Sequence, residues 1–196
     1  MKPIILASAS ARRIELMKLT NLPFTPVDSG FDEQPFHGEN PETYVETQTI
    51  GKANEAGKHY PHAIIVAGDA GVELDGKVFG KPKDRTDAIR MLKLLSGKTH
   101  RILSGFAVYE PEKHIMYHGV DIVSVTFKKL TETEIVRYVA TKDGMDKAGA
   151  YGIQTIRKRF VAAMHGSWST ALGLPIHFVI QNVLLIEPEY GSCLKP

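Results

Sequence analysis

One cysteine, Cys193, stands among 196 residues, so no intrachain disulfide can form. A reducing compartment, the cytosol, is the expected setting. No apolar run approaches the ~18 residues of a membrane span. The opening, MKPIILASASARR, turns charged too soon for a secretory signal. No membrane partner is expected. A net charge of +2 is too small to argue for nucleic acid as a partner. It leaves room for a small anionic ligand, which needs only local positive charge. The eight histidines show no metal-ligand spacing. No Ser-His-Asp or Cys-His arrangement can be read, and no GxxxxGK pattern followed by Ser or Thr occurs, which argues against the usual γ-phosphate apparatus. Arginines, lysines and carboxylates remain, with no obvious nucleophile. That combination suits phosphate chemistry with a divalent cation: carboxylates hold the metal, basic residues hold phosphate oxygens and water attacks.

What is present is ordinary for a globular protein, 43% hydrophobic and 23% charged, and long enough for a sizeable core. Residues 4–7 read as a buried strand and 10–20 as a helix. "LPFTPVDSGFDE" reads as a short strand with turns. Residues 40–60 read as a helix capped by Asn40, with Pro41 at its first position. "AIIVAG", residues 63–68, is a short apolar run and so a fully buried strand, and "GVELDGKVFG" a hairpin turning at Asp75-Gly76. A helix over 85–98 stops at Gly97. The next stretch, to about residue 130, alternates apolar and polar residues as two or three antiparallel strands around Pro111. Thr131 and Glu134 form a capping box ahead of another helix. "RKRFVAAMHGS" is expected as a strand and "PIHFVIQNVLLI" as a closing helix. The order predicts an α/β fold with a mixed twisted sheet flanked by helices, and a lobe boundary is expected near residues 96–104.

Four polar places break their local patterns. "LASASARR" puts Ser8, Ser10, Arg12 and Arg13 where a buried strand stops. Arginines in a first turn oppose the helix dipole, whereas an anion seated there is favoured by it; a plain N-cap at Ser10 with exposed arginines is the alternative. Asp69 directly follows the buried run, where α/β sheets place ligands, or else is a turn residue between glycines. Lys81 sits between Gly80 and Pro82, and Lys52 between Gly51 and Ala53, whose small size lets a lysine reach past its own helix; ordinary solvated lysines are the alternative for both. "DKAGAYGIQ" offers Asp146, Lys147 and Gln154 on a glycine-rich stretch that admits close backbone approach by a ligand.

Taken in order, "LASASARRIEL", "GKANEA", "VAGDAGVELDGKVFGKPKD", "AIRMLKLLSGKTH", "VTFKKLTETEIVRYVAT", "DKAGAYGIQ" and "GLP" resemble the motifs of the Maf proteins across nearly the whole chain. The resemblance implies a single domain over 1–196, related in architecture to the inosine-triphosphate pyrophosphatases, with a cleft between two lobes. It implies hydrolysis of a nucleoside triphosphate to monophosphate and pyrophosphate with Mg or Mn. "DKAGAYGIQ" and the arginine pair are similar to the branch acting on dTTP and UTP. Matched residue by residue, it places Ser8, Arg12, Arg13, Lys52, Lys81, Asp146, Lys147 and Gln154 against substrate, Asp69 at the catalytic position and Glu33 with Asp69 at the metal. Residues alone would leave Glu33 as part of a solvated acidic turn. The chain departs from the family pattern at Ala11, usually proline, at Ala70 and Gly71, usually threonine and valine, and in "GSWSTALGLP". A non-catalytic nucleotide-binding regulator of septum formation is the alternative function, and a homodimer the candidate assembly.

Overall fold

The computed structural model describes residues 1–194. One mixed sheet is built from β1 (Ile4–Ala7), β2 (Phe24–Val27), β3 (Ile64–Leu74), β4 (Lys77–Phe79), β5 (Thr99–Glu110), β6 (Ile115–Phe127) and β7 (Val161–His165). Its order is β2-β1-β3-β5-β6-β7, with β4 folded back on β3. β1 runs parallel to β2 and β3, and the remaining pairs are antiparallel. All four residues of β1 are buried, as expected for a parallel strand covered on both faces. The helices are α1 (Ala11–Lys18), α2 (Pro41–His59), α3 (Arg85–Leu95), α4 (Glu132–Ala140), α5 (Ile153–Phe160), α6 (Trp168–Ala171) and α7 (Ile176–Ile186). None of the helices among the described residues is long and apolar enough to cross a membrane.

Local chemistry starts and stops these elements. The Asn40 side chain accepts from the amides of Glu42 and Thr43, and Thr131 and Glu134 close their capping box. Asp75 and Gly76 both take positive φ, 53° and 77°, which a tight β3–β4 turn of matching twist requires.

The long central strands each serve two cores. Burial along β3 is continuous from Ile64 to Gly68, breaks at Asp69 and Ala70, and resumes through Leu74. Its first half packs with β1 against α1 and α7 on one face and against Ala53 and Ala56 of α2 on the other. Its second half joins α3, α4 and α5 around Leu92, Phe127 and Ile156. The lobes therefore divide across the strands. The boundary expected near residues 96–104 does not exist along the chain, because β5 runs unbroken from Thr99 to Glu110. A second expectation also fails. The segment read as one strand from Arg157 is helical to Phe160, and only Val161–His165 is strand. Ile153, Ile156 and Phe160 are the buried residues, at i, i+3 and i+7, and that helical period outweighs the apolar run that follows.

α2 lies close to the sheet. A Cβ at Gly105 of β5 would sit 2.1 Å from Thr49 Oγ1 of α2. Gly105 is the register partner of Asp69. The missing side chain lets α2 settle where Lys52, one turn beyond Thr49 and two beyond Val45, stands over Asp69.

Candidate active site

Asp69 lies in the middle of β3, not at the end of a strand as the apolar run suggests, because pairing with β5 carries the strand on to Leu74. Its side chain is 15% exposed, and Oδ1 accepts from Lys52 Nζ at 2.6 Å. Lys52 is 7% exposed, and the same ammonium meets Glu33 Oε1 at 2.5 Å. Two carboxylates from different parts of the chain thus converge on one buried cation. Burial resists ionisation of Glu33, but the Lys52 bond and the charges of Lys52, Lys81 and Arg13 prevail and hold its carboxyl below the usual range. Lys81 itself is exposed on the loop after β4. Gly80, beside it, accepts from the amide of Gly149 at 3.1 Å, tying this loop to the glycine-rich segment.

The arginines are not exposed first-turn residues. Arg13 is half-buried: Nε donates to the Gly173 carbonyl at 2.9 Å, and Nη1 lies 3.4 Å from Ser8 Oγ. Burial pushes its guanidinium below its ordinary range, opposed by Asp69, reinforced by Arg12 and opposed by Glu33. Burial likewise lowers Arg12, opposed by Asp146 and Asp143. Ser10 occupies the N-cap of α1 but makes no capping bond with its side chain. Its amide donates instead to Ser8 Oγ at 3.3 Å, and Ser8 is 7% exposed. The first turn of α1 contains no acidic residue. The plain-cap alternative at Ser10 therefore fails.

A second cluster faces Arg12. Lys147, 11% exposed at its side chain, meets Asp146 Oδ1 at 2.6 Å and Asp143 Oδ1 at 3.5 Å, and also donates to the Asp143 carbonyl. Asp143 accepts from the Tyr138 hydroxyl at 2.6 Å and from Thr155 Oγ1 at 2.5 Å, and Tyr138 in turn accepts from the Gly152 amide. Burial pushes the Tyr138 hydroxyl far up, so it stays a donor. Gln154 is exposed in the first turn of α5. A narrow recess is lined by Arg12, Ala70, Gly71, Tyr151, Ile153 and Gly173. Ser8, Arg13, Glu33, Lys52 and Asp69 thus form one group, whose Glu33 also feels the charge of Lys81, and Asp146 and Lys147 form another, whose Asp146 bears on Arg12. Sequence reasoning missed Tyr138, Asp143, Tyr151 and Thr155. Only the short spacing of Asp143 from Asp146 hinted at them.

A strand-borne carboxylate ion-paired to a buried lysine, with Arg13 close enough to feel its charge, sits in a mixed α/β sheet protein. The chain belongs to the Maf family: the model described as Maf-like protein matches residues 3–184. A relative from Geobacillus sp. (strain WCH70), named dTTP/UTP pyrophosphatase, is 39% identical over 183 residues, 93% of this chain and 97% of that one. Another of the same name from Acholeplasma laidlawii (strain PG-8A) is 40% identical over 182 residues, 92% and 94% of the two chains. Among solved structures, that of the Staphylococcus aureus Ham1 protein aligns with a TM-score of 0.46 at 18% identity, over 64% of this chain and 72% of that one.

Proposed function

We propose that this chain, acting as one domain in the cytosol, hydrolyses nucleoside triphosphates, dTTP and UTP among them, to nucleoside monophosphate and pyrophosphate. The observation that carries the reading is the pair of carboxylates, Asp69 and Glu33, held on the single buried ammonium of Lys52. The names of the relatives supply the substrates. Asp69 takes a proton from water as its oxygen bonds to the α-phosphorus. The bond from that phosphorus to the bridging oxygen breaks, and the electron pair leaves with pyrophosphate. Arg12, Arg13, Lys52 and Lys81 meet the charge that develops there, and Ser8 hydrogen-bonds a phosphate oxygen. Asp146, Lys147 and Gln154 face the sugar and base.

Glu33 and Asp69 are hard oxygen donors and fit Mg²⁺ or Mn²⁺. Such an ion commonly takes one or two carboxylates from the protein and fills its shell with water and substrate phosphates. No group of three or more His, Cys, Asp or Glu side chains converges among the described residues, so substrate and water would complete the shell. When bound, the ion neutralises phosphate charge and polarises the phosphoryl group.

Hydrolysis in ¹⁸O-labelled water tests which bond breaks. Five groups, Ser8, Arg12, Arg13, Lys52 and Lys81, are too many for one terminal phosphoryl group and suit a pyrophosphate leaving group. The label is expected on the monophosphate. Label in orthophosphate, with diphosphate accumulating, overturns the reading. Single substitutions separate binding from packing. Lys81→Ala is expected to lower kcat/KM about tenfold or more, the worth of a charged hydrogen bond, with an unchanged Tm because the side chain is exposed. Arg13→Ala should lower both, since the buried Gly173 carbonyl loses its donor. That loss of about 1–3 kcal/mol lowers Tm by several degrees. Equal melting curves for the two variants would show that Arg13 carries no packing role.

A further inference from the structure

The loop of residues 28–36 follows β2 and lies along α2, and one stripe of that helix receives it. Tyr44, Gln48, Gly51 and Lys52 recur at i, i+4, i+7 and i+8, a single helical face. Each touches the loop. The Tyr44 hydroxyl donates to the Gln34 carbonyl at 2.9 Å, and its ring meets Phe36 edge-on at 5.3 Å. Gln48 is 3% exposed, and its Oε1 accepts from the Gln34 amide at 3.0 Å. The ring of Phe31 fills the space a side chain at position 51 would need: a Cβ there would lie 2.3 Å from Cζ and 2.4 Å from Cε2. Lys52 then meets Glu33. Gly51 is therefore occupied by an aromatic ring and does not merely clear the way for Lys52.

Glu33 lies between these anchors, two residues after Phe31 and one before Gln34, yet its side chain is 55% exposed and its own segment is neither helix nor strand. A long, exposed side chain on such a segment would lose much freedom in reaching Lys52. The anchors on either side remove that freedom beforehand. Burial, then the charges of Asp69, Glu33 and Glu39, push the Tyr44 hydroxyl above its ordinary range.

We propose that Tyr44, Gln48 and Gly51 of α2, with Phe31 seated on Gly51, form a positioning device that holds Glu33 at Lys52. The proposal rests on Glu33 serving the reaction described above. Gly51→Ala is the decisive variant. Alanine for glycine inside a helix is stabilising by itself, so general damage is not the expected result. Tm should stay level or rise by up to about 4 °C. The added methyl displaces Phe31, so amide hydrogen exchange over residues 31–36 should quicken on the order of tenfold. kcat/KM should fall on the order of 10- to 100-fold, as for a misplaced catalytic group. Adding Phe31→Leu, which removes the clashing Cζ and Cε2 atoms, should restore most of both losses.

Unchanged exchange and kcat/KM in Gly51→Ala would overturn the proposal. So would faster exchange with unchanged kcat/KM, since the loop would then dock without serving Glu33. If Gly51→Ala fails to fold, Phe31→Ala, at a half-buried loop position, is read by the same two measurements with the same expected losses. If the wild-type protein hydrolyses no nucleoside triphosphate, the proposed function fails, while the exchange rates still decide whether α2 anchors the loop.

Discussion

Asp69→Asn is expected to lower kcat about 10²- to 10⁴-fold, the usual cost of removing a general base, while nucleotide still binds. The substitution keeps shape and size, so β3 and its pairing with Gly105 should survive. It removes one negative charge from a site that keeps Arg13, Lys52 and Lys81. A polyanion should therefore bind as tightly as before or tighter, since the carboxylate repels phosphate in the ground state. Lys52 retains Glu33 as a partner and is not left as an unpaired buried charge. The two halves of the expectation need separate measurements: steady-state pyrophosphate release for kcat, and titration with unhydrolysed nucleotide for Kd. Wild-type-like turnover would sink the assignment of Asp69. Loss of binding in proportion to turnover would make it a binding residue alone.

Much of the machinery is legible in the chain, and the illegible parts share a cause. β1 and the first half of β3 announce themselves as continuous apolar runs, and α2 by Asn40-Pro41, because each signal is local. The continuation of β3 past Asp69 is not local. Asp69-Ala70-Gly71 has turn-forming composition, and only pairing with Gly105, Ser104 and Leu103 makes it strand. The burial of Arg13 depends on the carbonyl of Gly173, 160 positions away, and nothing near Arg13 in sequence foretells it. Glu33 reads as a solvated turn for the same reason: its partner Lys52 lies on the next helix, and its anchors lie on one face of that helix. α5 was lost to a local signal that pointed the wrong way, an apolar run after RKR, while the residues that bury it are three and seven apart.

The same distinction bears on acid stability, where one contribution comes from a residue with no marker in sequence. His100 on β5 is 2% exposed. Its Nε2 lies 2.7 Å from the Tyr151 hydroxyl, Nδ1 has no partner among the described residues, and its ring meets Phe127 edge-on at 4.7 Å. Burial pushes its pKa down from 6.5 to about 4, with Glu73 opposing weakly. The folded protein therefore holds the ring neutral where the unfolded chain would protonate it. Its contribution is fully present above pH 6.5 and is lost as pH falls from there toward 4, a total of about 3 kcal/mol. About 2 kcal/mol of that should be gone by pH 5. This window opens before the lowered carboxylates, Glu33 and Asp146 among them, begin to protonate. The control is the pair His100→Phe with Tyr151→Phe. Replacing both partners by apolar groups of similar shape leaves no orphaned polar atom, and the contact with Phe127 is kept. Denaturant unfolding at pH 7 and pH 5 should show the wild type losing about 2 kcal/mol more than the double variant. Parallel losses would mean that His100 titrates normally and is not sealed from water. Tyr151 also lines the recess beside Arg12. Protonating His100 puts a poorly solvated charge against Tyr151 inside the core, so in wild type, between pH 6.5 and 5, amide exchange should quicken first over residues 146–152, ahead of global unfolding.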